Sequence, residues 1–204
     1  MAYRETQHTQ ARKRATHARL FAAAQKCLVE GGFAAVQMQT VAERAGLATG
    51  TLYRYYKNRA ELCCALFRHY TQREVDTLKQ QLAEGHNVAE QLEHGLHSFV
   101  DRALTRPQLA HALIAEPVGP ELEAERLDYR ERYAKVFAQV IEQGIARQEL
   151  PAQNATISAE ALVGTVAECL IKPASQGVNT ASLSELRSQL TQFCLRAIGG
   201  GSHE

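Results

Sequence analysis

Thr49, Gly50, Thr51, Tyr53, Arg54 and Tyr55 bring small and hydroxyl-bearing residues, two phenols and a guanidinium into one short stretch, with Lys57 and Arg59 close behind. Small residues let a backbone approach base edges in a major groove, while phenols and cations bond to phosphate oxygens. No Asp or Glu falls between Gly46 and Ala60, so nothing there repels a polyanion. The chemistry on offer is recognition rather than bond making. The sequence holds no HExxH, GxSxG, GxGxxG or P-loop pattern, which argues against an enzyme. His94 and His97 share a helix face at i, i+3, but no further metal ligands accompany them. No cofactor is implied.

The elements that must position these side chains can be read from spacing. Val41, Ala42 and Ala45 make one small apolar face, and Gly46 follows where a helix that turns sharply wants a positive φ. Leu47 plugs the corner, and Leu52 and Tyr56 give the next short helix its buried side. Asn58 followed by Glu61 has the form of a capping box and starts a long helix, expected over Asn58 to Glu84. Upstream, Gln10 to Gly31 reads as a helix with Ala15, Leu20, Phe21, Ala24, Cys27 and Leu28 in its apolar stripe. Gly31 and Gly32 stop it, and Phe33 packs against Val36 to seal a three-helix core. Arg12, Lys13 and Arg14 sit at the positive end of that helix dipole, an arrangement a nearby phosphate would relieve. They join Gln39 as candidate DNA contacts.

The run AERAGLATGTLYRYYKNRAEL resembles the helix-turn-helix of the tetracycline-repressor (TetR) family of bacterial transcription regulators over about the first third of the chain. The resemblance implies that Thr49, Gly50, Thr51 and Tyr55 face double-stranded operator DNA and that Tyr53, Lys57 and Arg59 contact phosphate. Val41 and Tyr56 depart mildly from the family pattern. Ala48 stands where a capping Ser is common, a loss of about 1 kcal/mol to the recognition helix. Gln37 replaces a frequent Thr before the first short helix.

Residues 1–60 carry 10 Lys and Arg against 3 Asp and Glu, a net of +7, and residues 61–204 carry 13 against 19, a net of −6. The overall +1 therefore hides a basic N-terminal third joined to an acidic remainder. No apolar run is long enough to span a membrane, and the first residues lack a signal-like apolar core, so the cytoplasm is the expected compartment. The 5 cysteines have no CxxC spacing. Cys27, Cys169 and Cys194 fall in apolar helical patterns. The adjacent Cys63 and Cys64 read either as packing or as an oxidant-sensing pair.

Beyond residue 85 helix signals continue without a competing strand: Asn87 to Leu104, Pro107 to Glu116, Pro120 to Gln148, Asn154 to Ala174, and Ser182, with Glu185 as a second capping box, to Ile198. The fold expected is all-α, with about nine helices: a helix-turn-helix DNA-binding domain over 1–57 and a larger helical domain over 58–204 for effector binding and dimerisation. Tyr129, Tyr133 and Phe137 recur at i, i+4 and i+8, a stripe that by itself suits a core. The family resemblance implies a small-molecule cavity in this body, with Phe67, Tyr70, Phe99, Tyr129, Tyr133 and Phe137 as candidate lining. Glu116, at a helix end, is a candidate anchor for a cation or a partner for a neighbouring Arg.

Leu162, Val163, Val166 and Leu170, on a helix apolar nearly all round, and Leu186, Leu190 and Phe193 on its successor suit either a subunit core or an intersubunit four-helix bundle. The family habit favours the second, a homodimer on a pseudo-palindromic operator. The function expected is a ligand-responsive regulator, most simply a repressor released by a small-molecule inducer. The alternatives are a DNA-binding protein with no effector, which would lack a cavity, and a redox-responsive regulator acting through Cys63 and Cys64.

Overall fold

The computed structural model describes residues 7–176 and 180–199. Among them the chain is all helix: α1 (Gln7–Gly31), a 3-10 turn (Phe33–Ala35), α2 (Met38–Arg44), α3 (Thr49–Tyr53), α4 (Arg59–Leu82), α5 (Val88–Thr105), α6 (Pro107–Ile114), α7 (Pro120–Ala146), α8 (Ala155–Gln176) and α9 (Thr180–Ala197). The sequence runs on from its last helix signal into Gly199-Gly200-Gly201, of which Gly200 and Gly201 lie outside the described residues. No helix among them is long and apolar enough to cross a membrane.

The first three helices close over Leu20, Ala24, Leu28, Val36, Val41 and Leu52, none of which keeps any exposed surface. Ala15, expected in this core, is exposed. The corner between α2 and α3 is a Schellman turn. Leu47 N–H donates to Ala42 O (3.0 Å) and Gly46 N–H to Glu43 O (2.9 Å), with Gly46 at φ +63°. Arg19 Nη2 donates to the Ala45 carbonyl at 2.7 Å and finishes that helix end. The expected cap of α4 forms, with Glu61 N–H donating to Asn58 Oδ1 at 2.8 Å. The Glu61 carboxylate reaches back one residue further than a standard capping box, to Lys57 N–H at 2.6 Å.

In the body, α7 packs against α8 and α4, α4 against α5, α5 against α9 and α6 against α8. Helix α9 starts two residues ahead of the expected Ser182 cap. The association face also differs from expectation. Leu162, Val163, Val166, Leu170 and Leu190 are all buried within the single chain. Helix α8 is apolar nearly all round because α6 and α7 both cover it. What it leaves outside is a narrower strip that includes Ile157 (63% exposed), Ala161 and Gly164, while α9 exposes Phe193 (51%) and leaves Leu186 half-buried.

Candidate functional site

The candidate reading surface is built on α3. Its N-cap residue Ala48 is extended and offers no side-chain acceptor, as the missing Ser implied. Thr49 and Thr51 are half-buried and Gly50 is open, with no atom within 4 Å of where a Cβ would stand. Tyr53 (52% exposed), Arg54 and Lys57 project into solvent, and Arg12, Lys13 and Arg14 are exposed on α1. Three expected contacts are already engaged. Tyr55 is half-buried and donates its hydroxyl to Lys13 O at 3.1 Å, so it fixes α3 against α1 as well as lining this face. Gln39 donates to Glu43 Oε1 at 2.9 Å. Arg59 turns its guanidinium inward, Nε to Val36 O (2.7 Å) and Nη2 to Phe33 O (2.6 Å), and so ties α4 to the 3-10 turn.

That turn is held from its other side by the body. The Glu116 carboxylate, just past α6, accepts from Phe33 N–H and Ala34 N–H, both at 2.8 Å. The expected pairing of Glu116 with a neighbouring Arg does not form: its carboxylate caps a 3-10 turn 83 residues away in sequence, and the arginine it meets bonds to its backbone. Arg126 of α7, only 7% exposed, donates to the carbonyls of Ala112, Leu113 and Glu116 and to the Glu123 carboxylate. A cation at the C-terminal end of α6 complements the dipole and the orphan carbonyls there. The carboxylate approaches closely because the neighbouring residue is Gly32, at φ +66°; a Cβ on it would stand 2.3 Å from Glu116 Oε2.

Behind this joint lies a cavity of about 510 Å³ among α4, α5, α6, α7 and α8. All six candidate aromatics, Phe67, Tyr70, Phe99, Tyr129, Tyr133 and Phe137, line it. Phe67 and Tyr129 meet edge to face at 5.6 Å, and Phe99 and Tyr133 at 5.9 Å. Burial pushes the Tyr133 phenol well above its ordinary range, with Glu74 adding to the effect. Leu109, Ala110, Leu113 and Ile114 of α6 complete much of the apolar wall. Sequence reasoning missed them, together with Thr71, Glu74, Arg102 and Arg126. The apolar pattern of the short α6 was a usable signal, whereas polar residues on long helices read as solvent-facing.

The rings of Tyr55, His17, Phe21, His69 and Tyr70 pack in an unbroken row, each within about 6.1 Å of the next, from the reading surface to the cavity wall. Cys27, Cys63, Cys64 and Cys194 are buried free thiols, and Cys169 is exposed. Burial pushes the Cys63 thiol up to about 11 and also raises Cys64, so the thiolate needed for oxidant sensing is suppressed. Among the described residues no group of three or more His, Cys, Asp or Glu is placed to hold a metal ion.

Residues 20–69 match the sequence family "Bacterial regulatory proteins, tetR family", and residues 85–170 match "Tetracyclin repressor-like, C-terminal domain". The chain is 28% identical over 80 residues to the fatty acid metabolism regulator protein of Bacillus subtilis, covering 39% of this chain and 41% of that protein. It is 46% identical over 57 residues to the transcriptional repressor KstR of Mycolicibacterium smegmatis, covering 28% of each. The matched stretches thus span less than half the length of these curated relatives. The crystal structure of FadR from Bacillus subtilis in complex with stearoyl-CoA superposes with a TM-score of 0.75 over 91% of this chain and 100% of that one, at 18% identity. That likeness speaks for the fold. With both halves of the family pattern matched in order and an exposed, carboxylate-poor recognition helix on an all-helical body, the chain belongs to the tetR family of bacterial transcriptional regulators, DNA-binding proteins rather than enzymes.

Proposed function

We propose that the protein is a homodimeric repressor that leaves a pseudo-palindromic operator when an acyl-CoA-like effector fills the cavity in its body. The observation that carries this reading is that cavity and reading head share parts. Helix α4 lines the cavity with Phe67, Tyr70 and Leu78 while its first turn grips the 3-10 turn through Arg59. Helix α6 lines the same cavity and ends in the Glu116 contact to that turn. An effector that displaces either helix acts directly on the seat of the DNA-binding domain, and only a ligand preferring one arrangement can shift the balance.

The acyl-CoA class is supported by the apolar lining and by three exposed arginines at the cavity, Arg73, Arg106 and Arg130, whose guanidinium groups make no ion pair among the described residues. A polyanionic headgroup outside an acyl tail suits that arrangement, and the related FadR structure holds stearoyl-CoA. Dimerisation through the exposed strip of α8 and α9 would place two recognition helices about one turn of DNA apart.

The test combines native mass spectrometry with titration onto DNA from the protein's own promoter at two salt concentrations, with and without long-chain acyl-CoA. A dimer whose DNA binding weakens steeply with salt and is released by acyl-CoA is the expected result. A monomer without DNA affinity overturns the reading.

A further inference from the structure

Three buried side-chain polar atoms lack a hydrogen-bond partner among the described residues: Thr71 Oγ1, Arg102 Nη2 and Thr191 Oγ1. Two of the three, Thr71 and Arg102, belong to residues that line the cavity. Buried polar groups are paired in the great majority of cases, because an orphan forfeits its hydration without return. Two orphans at one mostly apolar cavity therefore point to something that completes them.

Their setting specifies what that is. Thr71 is 5% exposed and sits one turn before Glu74 on the same face of α4, where residues at i, i+3 are neighbours. Glu74 in turn holds Arg102, whose Nε donates to Glu74 Oε2 at 2.9 Å while its Nη1 donates to Ser98 Oγ. The guanidinium is thus fixed at two nitrogens and leaves the third free. The Tyr133 phenol stands on the same wall, within reach of the charges of both Glu74 and Arg102. Because Glu74 already neutralises Arg102, a second carboxylate at this point of the wall would meet a spent cation and a repelling neighbour. A neutral oxygen acceptor meets two idle donors and no penalty.

We infer that the cavity takes an acyl group whose carbonyl oxygen, a thioester or ketone oxygen rather than a carboxylate, accepts hydrogen bonds from the Thr71 hydroxyl and Arg102 Nη2. This deepens the acyl-CoA reading above and rests on it for the identity of the cavity as the effector site. The headgroup arginines recognise charge and the aromatics recognise the tail. The Thr71 and Arg102 pair recognises the bond that joins them.

The experiment compares a long-chain acyl-CoA with its thioether analogue, identical except that the carbonyl oxygen is gone, by calorimetric titration into the full chain. Wild type binds the thioester about tenfold or more tightly than the thioether, the margin expected for an acceptor on a charged donor. Thr71→Val, isosteric and relieved of an orphan hydroxyl, keeps or raises the melting temperature, loses part of that preference and leaves thioether affinity unchanged. Arg102→Lys also narrows the preference. Equal binding of the two ligands to wild type, or a preference untouched by Thr71→Val, overturns the inference while leaving a ligand-responsive regulator in place. Failure of both ligands to bind overturns it as well. A carbonyl preference with no effect on operator binding upholds the subsite and refutes release by this ligand.

Discussion

Replacing Glu116 by Ala removes the carboxylate that reaches the 3-10 turn from the body and strands the Phe33 and Ala34 N–H groups it served at 2.8 Å. The Ala34 group is exposed and passes to water, whereas the Phe33 group is partly buried, so the net cost is about 2 kcal/mol. For a chain of this size that corresponds to a fall in melting temperature of about 4–8 °C. Gly32 supplies a stricter check. Its φ of +66° and ψ of −168° lie in a region essentially reserved for glycine, so Gly32→Ala costs about 1–3 kcal/mol in backbone strain alone. The added methyl, 2.3 Å from Glu116 Oε2, also drives the carboxylate off the turn. Gly32→Ala therefore already contains the loss that Glu116→Ala causes, and the double variant should be about as stable as Gly32→Ala by itself. In urea unfolding the two single costs should exceed the double by about 2 kcal/mol; additivity within ~0.5 kcal/mol would falsify the account. In the same Glu116→Ala protein, effector affinity should hold while the effector's influence on operator affinity shrinks.

Tyr53→Ala and Lys57→Ala should weaken operator binding at unchanged melting temperature, and the Lys57 change should lower the salt slope in fluorescence anisotropy by ~1. Phe193→Glu or Ile157→Glu should shift the protein toward monomer in sedimentation, with helicity retained. Leu162→Ala, at a side chain 2% exposed, should instead cost about 2–5 kcal/mol of stability, and an unchanged sedimentation dimer in the Glu variants would refute the exposed strip as the interface. Cys169 should be the fastest of the cysteines to react with a thiol reagent. Because burial raises Cys63 from 9.0 to about 11, its neutral form stabilises the fold below pH 9.0, and that contribution is lost as pH rises through about 11. Cys63→Ala should flatten the alkaline fall in urea midpoint over that window, and an identical pH profile in the variant counts against the burial argument.

The reading surface was legible because its chemistry and its geometry sit in one continuous stretch: the Gly46 turn, the Asn58 cap and the absence of carboxylates are all local signals. Rings at i, i+4 and i+8 on α7 had to share a face, but spacing alone suited a core; that they line a cavity came from the family resemblance. The joint was not legible. Arg59 carried the right charge for phosphate, and only the fold shows that its guanidinium is spent on Phe33 and Val36 carbonyls. Glu116 and Arg126 are ordinary polar residues whose partners lie on other elements, so no spacing announces them. Helix α8 misled for a physical reason: an apolar helix says that two sides are covered but not by whom, and here α6 and α7 supply both covers. Thr71 was invisible for a related reason, since a hydroxyl on a long helix reads as solvent-facing until its burial is known.

Helix α4 also has a mechanical side. With 24 residues it is a rod about 36 Å long, at ~1.5 Å per residue. Its cavity-lining residues fall mostly beyond its midpoint, at Thr71, Arg73, Glu74, Thr77 and Leu78, while its first turn holds the 3-10 turn of the DNA-binding domain. A tilt of about 5° pivoting at the cavity end would carry the DNA end through ~3 Å, about the donor to acceptor span of a single hydrogen bond. Base-edge contacts have no tolerance for such a displacement. An effector acting as proposed need not unfold or reorder anything; a small angular error at one end of a stiff strut is delivered to the other as a failure of register.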